Sequence, residues 1–412
     1  MNRNEVRGAR RARGFTLVEV LMSLAVVGVM AAAAAALLLS QRRALQNSSG
    51  DRAMQETVRI AVHDMGVNLR RAGYGIEPAL AFDFGPMNFP AQNPPVVSQS
   101  YLCGAAVTCR DQIAGPDELV FYARDPSFAR LATAVTTNTV TVAGGLAFPL
   151  YQGQVLQVMC QSATLWAYVT VGAMVPAGAG AKVIPLGADS GTGAFPAQNA
   201  ALANACFSAG NVLVFKVDRF RYHVARFAEA GVAPPGRPYL MLDRGLFDAG
   251  GNALEEPVAA DVEDLQVSYV FPNSTTGAVQ PVGGTPGIAL ASAPTGIDLA
   301  VIPSAYADPD DAVTRLTQSP ANIRAVRIAV VARTPVADIQ LQNDVNVANV
   351  GSVSGGSLIP AAGNRPVQVG DVGYHRLMIE TTEVVRNLDS RAPYYPFYST
   401  NNGADGLNVG GG

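Results

Sequence analysis

Residues 10–30 read RRARGFTLVEVLMSLAVVGVM, a run of arginines, then Gly14 and Phe15, then an apolar stretch interrupted by one acid, Glu19. Within residues 1–14, Arg3, Arg7, Arg10, Arg11 and Arg13 stand against Glu5, a local charge of +4. Behind them, residues 20–41 carry no charge for 22 residues, and about 20 apolar residues suffice to cross the hydrocarbon core of a bilayer. The pattern predicts one membrane-spanning helix. The five leading arginines outnumber Arg42, Arg43 and Arg52 behind the span, so the positive-inside bias keeps the first residues cytoplasmic and sends the rest across. A conventional secretory signal would place its cleavage site after the apolar run, and Ala31–Ala36 imitate one. Against that reading, Gly14 precedes the run, and the helical pattern continues through the alanines.

The segment GFTLVEV at 14–20, behind a short basic leader, resembles the class III signal of type IV prepilins and pseudopilins. The resemblance implies that a prepilin peptidase cuts between Gly14 and Phe15, that residues 1–14 are a cleaved leader, and that Phe15 becomes an N-methylated terminus. Glu19 supports the same reading on physical grounds. An unpaired acid in a bilayer costs about 2.5–3.5 kcal/mol even on the mildest scale, and cleavage before Phe15 creates an α-amino cation that neutralises Glu19 of a neighbouring subunit. The alternative for Glu19 is an interfacial acid reaching the headgroups. Loss of the +4 leader takes the net charge from −3 to −7.

Past the span, Met54, Val58, Ala61, Met65, Leu69 and Ala72 recur at spacings of three and four, which predicts an amphipathic helix. Joined to the span it gives one helix over 15–72, about 85 Å long at 1.5 Å per residue, with Gly50 as the expected bend and Gly73 to Pro78 as the stop. The texture then changes to short β-rich runs broken by Gly, Pro and Asn: 117–124, 154–160, 165–171, 211–217, 220–227, 239–244, 262–271, 323–333 and 374–385. Several alternate apolar and polar residues, as half-buried antiparallel strands do. The expected fold class is α+β, a long N-terminal transmembrane and amphipathic helix packed on a mainly antiparallel, β-rich pilin-like head. The head divides into 73–250 and 251–398, followed by a mobile tail at 399–412. Gly/Pro/Ala-rich stretches at 176–204 and 272–297 read as irregular excursions.

LRRAGYG at 69–75, DELVFYA at 117–123, VEDLQVSYVF at 262–271, IRAVRIAVVART at 323–334 and ETTEVVRNL at 380–388 are similar to segments of PilW-type minor pilins, in the family order. That resemblance implies a protein that takes part in initiation or tip assembly of a type IV pilus. It implies as partners other minor and major pilins, the prepilin peptidase, and the assembly platform, ATPase and secretin. It implies an inner-membrane location with a periplasmic head, then the pilus or cell surface, and roles in motility, adhesion or DNA uptake. A pseudopilin of a type II secretion system shares the signal and the helix, and a membrane- or pilus-anchored adhesin is the other alternative.

Chemistry is sparse in the sequence. His63, His223 and His375 have no partner at metal-ligand or catalytic spacing, and PAGAGAK at 176–182 lacks the ending of a phosphate-binding loop. Asp308, Asp310 and Asp311 lack the spacing of a calcium loop and read as a turn leading to a short helix. Trp166 and the aromatics of APYYPFYS at 392–399 are candidates for adhesive contact or for ordinary packing. No enzyme, cofactor, metal or nucleic-acid site is expected; a net charge of −3 gives no reason for a polyanionic partner. Cys103, Cys109, Cys160 and Cys206 are too few and too scattered for a zinc site or a disulfide scaffold. A head outside the cytoplasm would form one or two disulfides among them, Cys103–Cys109 being the most local pair, with reduced buried thiols as the alternative.

Overall fold

The computed structural model of the protein describes residues 16–83, 115–161, 165–187, 199–208, 211–228, 236–270, 323–338, 358–362, 367–389, 397–399 and 404–406. Helix α1 spans Leu17–Leu69, three residues shorter at its C-terminal end than the expected 72. Gly50 lies within it as helical backbone. The chain falls into two compact units divided between Ala53 and Met54. The first is the apolar part of α1. The second contains the rest of α1 and the β-rich head.

Among the described residues these elements follow, besides 3-10 turns: β1 Leu119–Val135, β2 Thr139–Val142, β3 Val155–Cys160, β4 Leu165–Thr170, β5 Lys182–Pro185, α2 Ala205–Ser208, β6 Val212–Phe227, β7 Arg237–Phe247, β8 Ala253–Ala260, β9 Val262–Val270, β10 Ala325–Arg333, β11 Leu358–Ile359, β12 Gln368–Val369, β13 Arg376–Val384, helix α3 Arg386–Asp389, β14 Phe397–Ser399 and β15 Ala404–Gly406. All named pairings are antiparallel. The runs read separately as 211–217 and 220–227 are one strand, β6. The polar break between them, Asp218, stays in the sheet because Lys216 and Arg71 neutralise it at 3.3 and 3.5 Å.

The first sheet runs β4-β3-β6-β1-β2-β5, with β7 and β8 added beyond β6. β5 also returns to β4. Val171 bridges Leu186, the Gly187 amide donates to the Thr170 carbonyl at 2.7 Å, and the Gly172 amide donates to the Pro185 carbonyl at 2.8 Å. The six strands therefore close into a barrel, a way of removing exposed edges. The seam requires glycine, since a Cβ on Gly172 would lie 2.8 Å from the Gly187 nitrogen. Val140, Val142, Leu156, Val158, Val169, Ile184 and Val214 fill the barrel. Leu202 and Phe207, from the 3-10 turn Asn199–Ala203 and α2, complete its core. A Cys160–Cys206 disulfide, Cα–Cα 6.0 Å, ties α2 to β3. Cys103 and Cys109 lie outside the described residues. The bridge closes 46 residues, for which the chain-entropy argument gives about 4 kcal/mol. A Cys160→Ser/Cys206→Ser variant is expected to lose between about 2 and 4 kcal/mol in urea unfolding; an unchanged midpoint would show that Leu202 and Phe207 hold this segment without it.

β1 and β6 continue beyond the barrel. At the register shift between Arg124 and Ala129 the pair leaves the barrel wall and becomes an open sheet with β7 and β8. Leu119–Ala123 are buried on both faces. Leu119, Phe121 and Ala123 face the main core, while Val120 and Tyr122 pack with Ile76, Leu80 and Tyr168 on the other side. The second sheet, β13-β10-β9, begins after Asp261, which has φ 60°. One core cluster unites the helix, the open sheet and the second sheet, from Val58, Met65 and Leu69 through Phe220 and Leu240 to Leu265, Ile328 and Val330.

A buried ionic cluster crosses the junction of the sheets. Glu263 on β9 is inaccessible and accepts Arg376 Nε at 2.6 Å and Arg376 Nη2 at 3.1 Å, with Arg226 Nη2 at 3.5 Å. Arg333 on β10, also buried, pairs with Asp371 and lies 4.0 Å over the Tyr374 ring. Arg226 joins Asp371 at 2.8 Å and Arg237 clasps Asp261 at 2.7 and 3.0 Å. Burial pushes the Asp371 carboxyl up, but hydrogen bonds and charges from Arg226 and Arg333 outweigh it and hold the group below its ordinary range.

Candidate functional site

The apolar helix is the first candidate. Leu17–Arg42 is long and apolar enough to cross a membrane, and none of it is buried within the chain. Its few polar groups are neutralised locally: the Ser23 and Ser40 hydroxyls donate to the carbonyls of Val20 and Leu37 at 2.9 and 2.8 Å. Gly14 and Phe15 lie outside the described residues. Glu19 sits in the first turn. Its amide donates to Thr16 Oγ1 at 3.3 Å and to the Thr16 carbonyl at 3.0 Å, so Thr16 caps the helix and Glu19 stands three residues on, the spacing of a capping box. The unpaired amides of a helix start favour an acid there. The Thr16-x-x-Glu19 pattern is legible in the sequence as a capping-box spacing.

The second candidate is the place where α1 ends. Met54, Val58, Ala61, Met65, Leu69 and Ala72 are all buried, the stripe that the spacing predicts; each large member contributes about 1.5–3 kcal/mol by leaving water. The polar shoulder of the helix is also engaged: the Tyr222 hydroxyl donates to Asp64 Oδ2 at 2.7 Å and accepts from Asn68 Nδ2 at 2.7 Å. Burial and the Asp64 carboxylate keep the Tyr222 phenol well above its ordinary pKa. Arg71 and Arg244 lie 5.5 and 5.2 Å from the Phe220 ring, at cation–π distance.

The last carbonyls of a helix need donors from outside it. Asn387 Nδ2 donates to the carbonyls of Arg70 and Ala72, both at 3.1 Å. The Gly73 amide, at φ 73°, donates to the Tyr122 carbonyl at 2.9 Å, and the Leu388 side chain occupies the space a Cβ on Gly73 would need. The Val385 amide donates to the Arg324 carbonyl at 2.8 Å and the Asp117 amide to that of Leu265 at 2.7 Å. Asp117 Oδ2 accepts the Val267 amide at 2.8 Å. The five runs 69–75, 117–123, 262–271, 323–334 and 380–388, spread over three hundred residues of sequence, thus join in one collar around the helix end.

Other expected sites are dispersed. His63 lies on α1, His223 on β6 sits 3.9 Å from Glu255, and His375 lies 3.4 Å from Asp338. Among the described residues no three His, Cys, Asp or Glu side chains gather as a metal-ligand set. Trp166 lies on β4, packed against the cluster of Ile76, Val120 and Tyr168. Asp308, Asp310 and Asp311 lie outside the described residues. Of the aromatic run 392–399, only Phe397–Ser399 is described, as β14 paired with β15.

No curated protein and no solved structure matches the chain. The family model of the prokaryotic N-terminal methylation motif matches residues 9–35, which span Gly14, Phe15, Thr16 and Glu19. The chain carries a type IV pilin-like prepilin signal on a single apolar N-terminal helix, the arrangement of pilins and pseudopilins that prepilin peptidase processes.

Proposed function

We propose that the chain is a minor pilin of the PilW type, acting in initiation or tip assembly of a type IV pilus and carrying no catalytic activity of its own. The observation that supports this most is continuity. The helix that opens with the methylation signal is one element, Leu17–Leu69, and its C-terminal residues Val58, Ala61, Met65 and Leu69 belong to the core of the head. In this reading prepilin peptidase cuts before Phe15, which is then N-methylated. The head waits in the periplasm, and the platform protein, ATPase and secretin move the subunit into a fibre of major and minor pilins.

The deciding experiment is deletion of the gene, with surface pili counted by electron microscopy and secreted proteins assayed in the medium. Loss of pili with normal secretion, restored by the wild-type gene, is the expected result. Loss of secretion with intact pili would replace this reading with that of a type II secretion pseudopilin. No change in either would overturn both.

A further inference from the structure

The strap Ile76–Asp83, which follows the helix end and bridges to β1 between Phe82 and Phe121, contains a buried acid that the reading above does not use. Ile76 and Leu80 insert beside Val120 and Tyr122 of β1, Val155 of β3, Tyr168 of β4 and Val217 of β6. Glu77 between them is only 7% exposed. Its amide donates to the Tyr168 hydroxyl at 3.2 Å, yet its Oε2 is buried with no hydrogen-bond partner among the described residues. No cation there lies within ion-pair distance of it.

The neighbouring charges are engaged elsewhere. Arg124 of β1 donates to Gln157 Oε1 of β3 at 2.5 Å and covers the Phe215 ring at 4.0 Å. Gln157 Nε2 in turn donates to the Tyr168 hydroxyl at 3.2 Å. Asp83, at the far end of the strap, lies 3.5 Å from the Tyr122 hydroxyl. Burial keeps the Tyr168 phenol above its ordinary pKa, so it stays neutral wherever Glu77 titrates. The start of the strap is held as a fixed turn: Gly73 and Gly75 have φ 73° and 67°, and the Arg124 amide holds the Tyr74 carbonyl at 2.8 Å.

We propose that Glu77 makes the strap a proton-operated latch at the joint between helix α1 and the head, seated while the carboxyl is neutral and loosened when it is charged. A neutral carboxyl fits an apolar wall with one modest polar loss, whereas a carboxylate without a partner must regain water. Burial raises the Glu77 carboxyl from 4.5 to about 7. A carboxyl raised in the folded state binds its proton more tightly there than in the open state. The latch is therefore fully closed below the ordinary value of 4.5, weakens as pH rises, and loses this contribution above about 7. The joint is stiff in mildly acidic surroundings and mobile in alkaline ones.

Hydrogen–deuterium exchange of the detergent-solubilised full chain tests this, with rates corrected for intrinsic chemistry and compared at pH 5 and pH 8. Protection of the strap peptide is expected to fall at least about tenfold between the two in the wild type. In Glu77→Gln it should stay at the pH 5 level, and protection of β10 should hold in both. Equal protection at the two pH values, or an equal fall in the variant, would overturn the proposal. Should Glu77→Gln not fold, carboxyl-carbon NMR of labelled wild type decides: a Glu77 midpoint near the ordinary glutamate value is equally fatal.

Discussion

A Gly14→Val variant is expected to accumulate as the uncut precursor and to be absent from the fibre. By the resemblance of residues 14–20 to prepilin signals, Gly14 is the last leader residue, and a branched side chain there obstructs the bond to Phe15. The consequences for the helix can be worked out from the chain itself. An uncut leader keeps its +4 charge at the cytoplasmic face, where it favours retention in the membrane. It also denies Glu19 the α-amino cation that cleavage supplies.

Thr16 caps α1 through its own side chain, to the Glu19 amide, and both partners lie after residue 15. Cleavage at Phe15 therefore leaves the cap in place and sets an ammonium group one residue before the positive end of the helix, where a cation is unfavourable by about 0.3–1 kcal/mol. Glu19, in that first turn, offsets this charge as well as the exposed amides, so the acid and the cleavage site belong to one electrostatic arrangement. Mass spectrometry of the membrane fraction reads the outcome directly: the intact leader is expected in Gly14→Val, and a mature mass beginning at Phe15 would remove the assignment of the cleavage site.

Glu263→Ala is expected to destabilise the head by about 3–5 kcal/mol, the range for breaking a buried ion pair on one side. Glu263 is inaccessible and takes the Nε–Nη2 edge of the Arg376 guanidinium, whose own side chain is 4% exposed. Its loss leaves Arg376 charged and buried, and weakens the hold on Arg226. That cost exceeds the gain of the intact pair because the remaining cation keeps only the neutral carbonyls of Asp371 and Tyr374 as acceptors. Urea unfolding of the detergent-solubilised chain should show a lower midpoint at similar slope. A loss below about 1 kcal/mol would show that water reaches the junction and that the cluster does not hold the two sheets together.

The helix was legible because its information is local. The three- and four-residue spacing from Met54 to Ala72 names the side chains that the head buries, and an uncharged run needs no partner to announce a span. The strands of the open and second sheets other than β8 were legible for the same reason, through alternation or through short continuous apolar runs; β8, with Glu255, Glu256 and Pro257 in its middle, shows neither. The barrel was not. β2 and β5 are four residues each, too short for a period to emerge, and its closing seam joins Val171 to Leu186 across a Gly-rich stretch that reads as loop. Asp218 looked like a strand break because the charges that neutralise it, Lys216 and Arg71, are recognisable as its partners only in three dimensions. The ionic cluster draws Arg226, Glu263, Arg333, and Asp371 with Arg376 from four separate segments, and nothing in any one of them distinguishes these charges from solvated ones. Four scattered cysteines likewise gave no preference for Cys160–Cys206.

The barrel has a further consequence for how such a head can change over time. It begins and ends on the same rung of the β1–β6 ladder, where Ala129 and Phe215 are register partners, about 5 Å apart as paired antiparallel residues are. Neighbouring ends are the geometric condition under which one folded segment can be exchanged for another without disturbing its host. The collar, the ionic junction and the helix stripe all lie on the host side of that rung. Variation in length or surface chemistry in the barrel loops between residues 129 and 215 can thus be accommodated without altering the parts that grip the helix, provided that Val155 and Tyr168, which seat the strap, are kept.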